Sequence, residues 1–177
     1  MINYLIKTND LIKIFADFYY VKGKKESISK NYKNNHTVVE LVSKVLKMMD
    51  FKEWYFGLHT ALRLYDISLQ ENPTECLITT RMPFNRKNII VLGKNLQVFI
   101  FNQELFTFYK MKNGIKYSDL EKTFLDFLYL WKSNHVPDHK IFRILGKYRD
   151  QISQEKIMRY SAIYPSNIQQ VLKDFFN

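Results

Sequence analysis

One cysteine, Cys76, stands in the whole chain, so no internal disulfide can form and no cysteine-based zinc cluster can be assembled. Glycine (five) and proline (four) are also scarce, which excludes low-complexity and disordered classes. No apolar run approaches the roughly 18 residues that span a bilayer. The N-terminal MINYLIKTNDLIK lacks the basic, apolar, small-residue order of a secretory signal, so a cytoplasmic protein with no membrane contact is expected. Gly93-Lys94 has neither the upstream glycine nor the following Ser or Thr of a phosphate-binding loop, and no dinucleotide fingerprint is present. His135 and His139 lie four apart, but Pro137 intervenes and no carboxylate or cysteine completes a zinc set, so they read as surface histidines. No cofactor, no metal and no enzymatic activity are expected. No internal repeat is visible, which sets solenoids and propellers aside.

What is abundant is apolar and basic. The 177 residues are 46% hydrophobic and 16% aromatic, enough for one folded domain, and the net charge is +10. Such a charge favours a polyanion or an acidic protein surface through long-range attraction. The excess is spread along the chain, and the KGKKESISKNYK stretch is its densest piece. Two basic patches are candidates for contact: Arg81, Arg86 and Lys87 in the loop TTRMPFNRKN, and Lys22, Lys24, Lys25, Lys30 and Lys33 after the first strands. Contacts of lysines to phosphate position a nucleic acid without reading its sequence.

Hydrophobic period divides the chain into three parts. Residues 11–23, LIKIFADFYYVKG, read as a strand or strand pair, and a polar linker follows. Thr37 three residues before Glu40 forms a capping box, and Val38, Val42, Val45 and Met49 recur at helical spacing, so a helix over about 37–49 is expected. WYFGLHTALRLYDI reads as a short extended run, Gly57, and a helix presenting Leu58, Ala61, Leu62 and Tyr65; Pro73 marks a turn after it. From 75 to 117 the pattern changes to short β-favouring runs, ECLITT, NIIVLG, LQVFIF, LFTFYKM and IKYS, with turns at Gly93-Lys94-Asn95 and at Asn113-Gly114. Thereafter the helical period returns, in KYSDLEKTFLDFLYLW, PDHKIFRILGKY and SQEKIMRYSAIY, with capping boxes read at Ser118/Glu121 and Ser166/Gln169 and a stop at Pro165. Strands followed by helices indicate an α+β fold: a small mixed or antiparallel central sheet, N-terminal helices and a helical C-terminal third.

The opening C-terminal helix carries a puzzle. On a wheel of about 100° per residue Leu120, Phe124, Phe127, Leu128 and Trp131 share one arc, and Asp119, Lys122, Thr123 and Asp126 gather opposite. Lys122 and Asp126 then read as an exposed i,i+4 pair worth a few tenths of a kcal/mol. Against this, Leu130 also falls on the polar side and Tyr129 on its edge, which would mean a covered face and an Asp126 in need of a partner. Glu121 falls on the apolar arc, where its capping box with Ser118 accounts for it. His59, beside Thr60, is read as packed or capping, and Cys76 as a core filler.

KYSDLEKTFLDFLYL resembles the s-d-x-E-K-T-x-x-D-x-L segment of the AbiE-type antitoxin family (AbiEi). WYFGLHTALRLYDISLQENP resembles the family's upstream segment Y-x-G-x-x-[ST]-A-L-x-x-x-G-L-x-x-Q-x-P. Gly57, Thr60, Ala61, Leu62, Gln70 and Pro73 match the upstream segment, and Ser118, Glu121, Lys122, Thr123 and Asp126 the downstream one; Asp66 stands where the family has Gly. The resemblance covers about residues 18–170. The family commonly opens with a winged helix-turn-helix, and here the sequence departs from it: LIKIFADFYYVKG reads as the wing strands alone, so a strand segment with a basic linker (1–36) and no full winged helix-turn-helix is expected, followed by the antitoxin-type C-terminal domain (37–177) that the resemblance implies. The resemblance also implies an antitoxin of a type IV toxin–antitoxin system that counters a nucleotidyltransferase-like toxin, directly or functionally, through a charged helical surface around residues 118–126. The alternative is a DNA-binding transcriptional regulator of its own operon or of a viral defence system.

Overall fold

Thr37 opens the first long helix as its spacing to Glu40 predicts: its hydroxyl accepts the Glu40 N–H at 3.2 Å, and the Glu40 carboxylate accepts the Thr37 N–H at 2.8 Å. In this computed structural model, which describes residues 1–8, 10–15, 18–23, 37–67, 74–84 and 86–177, that helix is α2 (Val38–Met48). It follows a short helix α1 (Ile2–Lys7) and an antiparallel strand pair, β1 (Leu11–Phe15) and β2 (Phe18–Val21). Lys24, Lys25, Lys30, Lys33, Gln70 and Pro73 lie outside the described residues.

A second sheet follows, of six strands: β3 (Trp54–Phe56), β4 (Glu75–Thr79), β5 (Asn88–Val91), β6 (Lys94–Ile100), β7 (Tyr109–Lys112) and β8 (Ile115–Ser118). Their spatial order is β5-β6-β4-β3-β8-β7. The β3–β8 and β4–β6 pairs are parallel and the others antiparallel, so the sheet is mixed. Helix α3 (Leu58–Leu64) connects β3 to β4. The C-terminal third is helical: α4 (Leu120–Ser133), α5 (Asp138–Gly146), α6 (Gln154–Ser161) and α7 (Ser166–Phe176). The fold is α+β.

Side-chain alternation along the central strands feeds two cores. Trp54, Phe56 and Leu77 join α2, Ile14 and Val98 on one face, whereas Tyr55, Cys76 and Ile78 join Leu58, Leu62 and the C-terminal helices on the other. Strand β4 is therefore buried along its whole length, with neighbours on both edges and both faces.

The turns refine the sequence reading. Asn113 and Gly114 adopt φ of 52° and 78°, the two positive angles a type I′ hairpin requires. The other hairpin turns one residue early, at Leu92 (φ 50°) and Gly93 (φ 76°), and Lys94 and Asn95 already belong to β6. The run LFTFYKM becomes a strand only at Tyr109, because Gln103–Leu105 form a 3₁₀ turn and Phe108 takes φ 58°, which breaks the extended chain. Asp66, standing where the resembled family has Gly, adopts φ 57°. Aspartate tolerates the left-handed conformation better than most residues with a Cβ.

Both C-terminal capping boxes are corrected. The cap of α4 is Asp119, whose carboxylate accepts the Lys122 N–H at 2.9 Å; Ser118 ends β8, and its hydroxyl bonds the Thr123 hydroxyl at 2.7 Å. An ionised carboxylate at the cap suits the helix dipole better than a hydroxyl already engaged elsewhere. Helix α7 starts behind Pro165 without a side-chain cap, and Gln169 donates instead to the Tyr164 carbonyl at 2.9 Å. Asp119→Ala should therefore cost about 1–2 kcal/mol and exceed Ser118→Ala, as measured by urea denaturation.

Candidate functional site

Helix α4 contacts α3, α5, α6 and α7, and every residue from Glu121 to Leu128 is buried. The wheel reading of an exposed Lys122–Asp126 pair is overturned, because coverage on both sides leaves no solvated face. Lys122 and Asp126 are each 0% exposed.

The two charges meet at 2.5 Å and are enclosed by two phenols. Tyr55, from β3, donates to Asp126 Oδ2 at 3.0 Å, and Lys122 Nζ donates to the Tyr55 oxygen at 2.9 Å. Tyr164, from the turn between α6 and α7, donates to Asp126 Oδ1 at 2.6 Å and accepts from Lys122 at 2.6 Å. The ammonium also lies 5.0 Å from the Tyr55 ring centroid and 5.1 Å from that of Tyr164. Its three protons thus have three oxygen partners, and both carboxylate oxygens are bonded. Among the described residues Tyr65 Oη is the only buried side-chain polar atom without a hydrogen-bond partner.

Burial pushes the Lys122 ammonium below the usual lysine range and the Asp126 carboxyl above the usual carboxylate range, against the mutual attraction that works the other way. Burial, with Asp126 beside them, holds the Tyr55 and Tyr164 phenols well above their ordinary value, so both stay protonated donors. Every polar group of this buried centre is thus paired within the domain. Its chemistry is that of an internal clamp joining β3, α4 and the α6–α7 turn.

A second clamp fastens the start of α4. Lys156, on α6, bonds Glu121 at 2.5 Å and Asp119 at 3.0 Å, and the Ser153 N–H donates to Glu121 at 3.2 Å. Glu121 thus anchors α6 rather than reaching back to Ser118. Burial raises the Glu121 carboxyl, but Lys156 and the backbone N–H donors outweigh it and hold the group below its ordinary value. A third clamp ties α3 to β4: Thr60 donates to Glu75 at 2.9 Å and accepts the Cys76 N–H at 2.8 Å, and Arg63 pairs with the same carboxylate.

The matched upstream residues Gly57, Thr60, Ala61 and Leu62 are buried as well. Ala61 and Leu62 lie in the core, and a Cβ built on Gly57 would stand 2.4 Å from Ile78 Cδ1. The expected surface of Gly57, Thr60, Ala61, Leu62, Ser118, Glu121, Lys122, Thr123 and Asp126 is therefore an interior, a correction that follows from the burial of each of these residues. The cations of the basic loop are exposed: Arg81, Arg86 and Lys87 face solvent, and the Arg81 guanidinium lies 5.1 Å from the Phe51 ring centroid. Lys22 is half-buried. His59 packs edge-on against Phe127 at 5.0 Å, and burial lowers its pKa. Cys76 is buried, which raises its thiol pKa to about 11. His135 and His139 are exposed.

Tyr55 and Tyr164 are the site residues that spacing missed. Tyr55 leads the quoted Y-x-G pattern, which is the one signal that marks it. Tyr164 precedes Pro165 and carries no periodic signal. Tyr164 also lines a surface cavity of about 320 Å³ with Asn102, Glu104 and Tyr129. Among the described residues no group of three His, Cys, Asp or Glu side chains is placed to hold a metal, and no helix is long and apolar enough to cross a membrane. No protein-family model, curated protein or solved structure gives a significant match to the chain.

Proposed function

We propose that this chain is a cytoplasmic antitoxin of a type IV, AbiE-like toxin–antitoxin pair, countering a nucleotidyltransferase-like toxin. One observation carries the reading: the two segments that resemble the family, far apart in sequence, meet in one buried centre, Tyr55 of the first bonding Lys122 and Asp126 of the second. Convergence of both segments on shared hydrogen bonds supports a resemblance of one folded unit rather than of two unrelated runs. Asp66 at φ 57° supports it further, since that position in the family holds a residue free to be left-handed.

The buried centre holds the domain together, and the exposed basic surface is what meets a partner. A nucleotidyltransferase-like gene is expected beside this one, and co-expression with its product is expected to relieve that product's toxicity. Charge reversal at exposed Arg86 and Lys87 should weaken rescue with the melting temperature unchanged. Substitutions at Lys122 or Asp126 should weaken it only as far as they deplete folded protein. Absence of rescue by the wild-type chain defeats the proposal.

A second reading, a DNA-binding regulator of its own operon, draws on the +10 charge and the exposed Arg81, Arg86 and Lys87. It calls for salt-sensitive binding to the upstream promoter fragment in preference to unrelated duplex. Equal affinity for both fragments removes it.

A further inference from the structure

Strand β7 is the outer edge of the six-stranded sheet, and all four of its residues are exposed. Its register with β8 sets which backbone groups are used. Around the two-residue Asn113-Gly114 turn, Lys112↔Ile115 and Lys110↔Tyr117 are the hydrogen-bonded pairs, and Asp119 N–H donating to the Phe108 carbonyl at 3.3 Å continues the same alternation. The N–H and C=O groups of Tyr109 and Met111 therefore point away from β8. Among the described residues no strand pairs with that side.

The side chains divide by face. Lys110 and Lys112 lie on one, with Tyr117 and Ile115 as their cross-strand neighbours; Tyr109 and Met111 lie on the other, 43% and 69% exposed. Neither lysine forms a salt bridge among the described residues, and the hairpin from Phe108 to Ser118 contains Lys116 as a third cation and no carboxylate. A strand added to this edge would bond to Tyr109 and Met111, which puts Lys110 and Lys112 at the non-hydrogen-bonded positions, where facing side chains approach most closely.

We propose that β7 is a strand-addition site for an extended acidic segment of a partner protein, with carboxylates at alternate positions opposite Lys110 and Lys112 and apolar residues between them over Tyr109 and Met111. Charge selects this occupant. A second copy of the chain pairing antiparallel through β7 would set lysine against lysine, which is destabilising. Base stacking on Tyr109 is disfavoured, because its ring already lies parallel to Tyr55 at 6.3 Å and has the Lys116 ammonium 5.5 Å from its centroid. The site does not depend on the antitoxin reading.

The test is fluorescence anisotropy of the full chain with a short labelled peptide of alternating glutamate and valine. Salt-sensitive binding is expected, with no binding of the matching lysine–valine peptide. The double variant Lys110→Glu/Lys112→Glu should weaken it at least about tenfold. Met111→Pro should do the same while leaving the β8 ladder whole, since it removes only an outward N–H, and proline is tolerated on edge strands. A glutamate–valine peptide methylated on its pairing backbone nitrogens should fail to bind the unaltered protein, a readout that needs no variant to fold. Absence of binding by the glutamate peptide means that the lysines merely protect the edge and overturns the proposal. Full binding of the methylated peptide, or displacement by a single-stranded oligonucleotide with Met111→Pro without effect, shows a surface that reads charge alone and overturns it equally. Toxin rescue without peptide binding sinks this site and not the antitoxin reading; peptide binding without rescue does the reverse.

Discussion

Asp126→Ala is expected to lose about 3–5 kcal/mol of folding stability, roughly a 10 °C fall in melting temperature for a chain of this size. The substitution leaves the Lys122 ammonium with no anion, fully buried, and withdraws the acceptor from two phenols at once. Lost partners cost more than the pair itself contributed, because a buried cation must either remain uncompensated or shed its proton. Lys122→Ala should cost a similar amount for the mirror-image reason. Replacing the whole centre is expected to behave differently: Lys122→Met with Asp126→Leu, Tyr55→Phe and Tyr164→Phe removes every polar group together and should recover most of the loss. Urea denaturation of the single and combined variants decides it. A single variant as stable as the wild type would mean that the centre is not the clamp described above, and a combined variant no better than Asp126→Ala would mean that its hydrogen bonds matter more than its buried charge.

The second large effect is expected at Gly57. Its φ of −127° is open to any residue, so the requirement for glycine is one of space rather than of backbone conformation. A methyl group there would overlap Ile78 Cδ1 at 2.4 Å and crowd Tyr55 Cε2 at 3.3 Å. Gly57→Ala should cost about 1–3 kcal/mol as overpacking. Ile78→Val, which deletes the clashing carbon, should cost about 0.5–1.5 kcal/mol alone and yet restore stability when combined with Gly57→Ala. Simple additivity of the two losses would contradict the close approach. The same position borders the centre, since the added methyl group would also crowd Tyr55, which bonds Lys122 and Asp126.

Those two positions show how unevenly the site could be read in advance. Gly57, Thr60, Lys122 and Asp126 are singled out by the resemblance, yet their burial, and the clamps that Thr60, Lys122 and Asp126 form, are invisible to a helical wheel, which assumes one wet face. Leu130 on the polar side of α4 and Tyr129 on its edge are the local signs of coverage, and α5 to α7 supply it. Glu121 misled for a related reason. Its spacing from Ser118 satisfies a capping box, but Lys156, 35 residues on, competes for the carboxylate and wins, and Asp119 takes the cap.

Sequence alone determined the α+β class, the capped start of α2, the Asn113-Gly114 turn and the strand–glycine–helix run from Trp54 to Leu64, because each rests on interactions among residues within a turn or two of one another. Tertiary structure decided which charges leave water and which partners they meet there. Desolvation depends on everything that covers a side chain, and for Lys122 and Asp126 the cover comes from Tyr55 and Tyr164, residues brought together only when the sheet and the last helices close around α4.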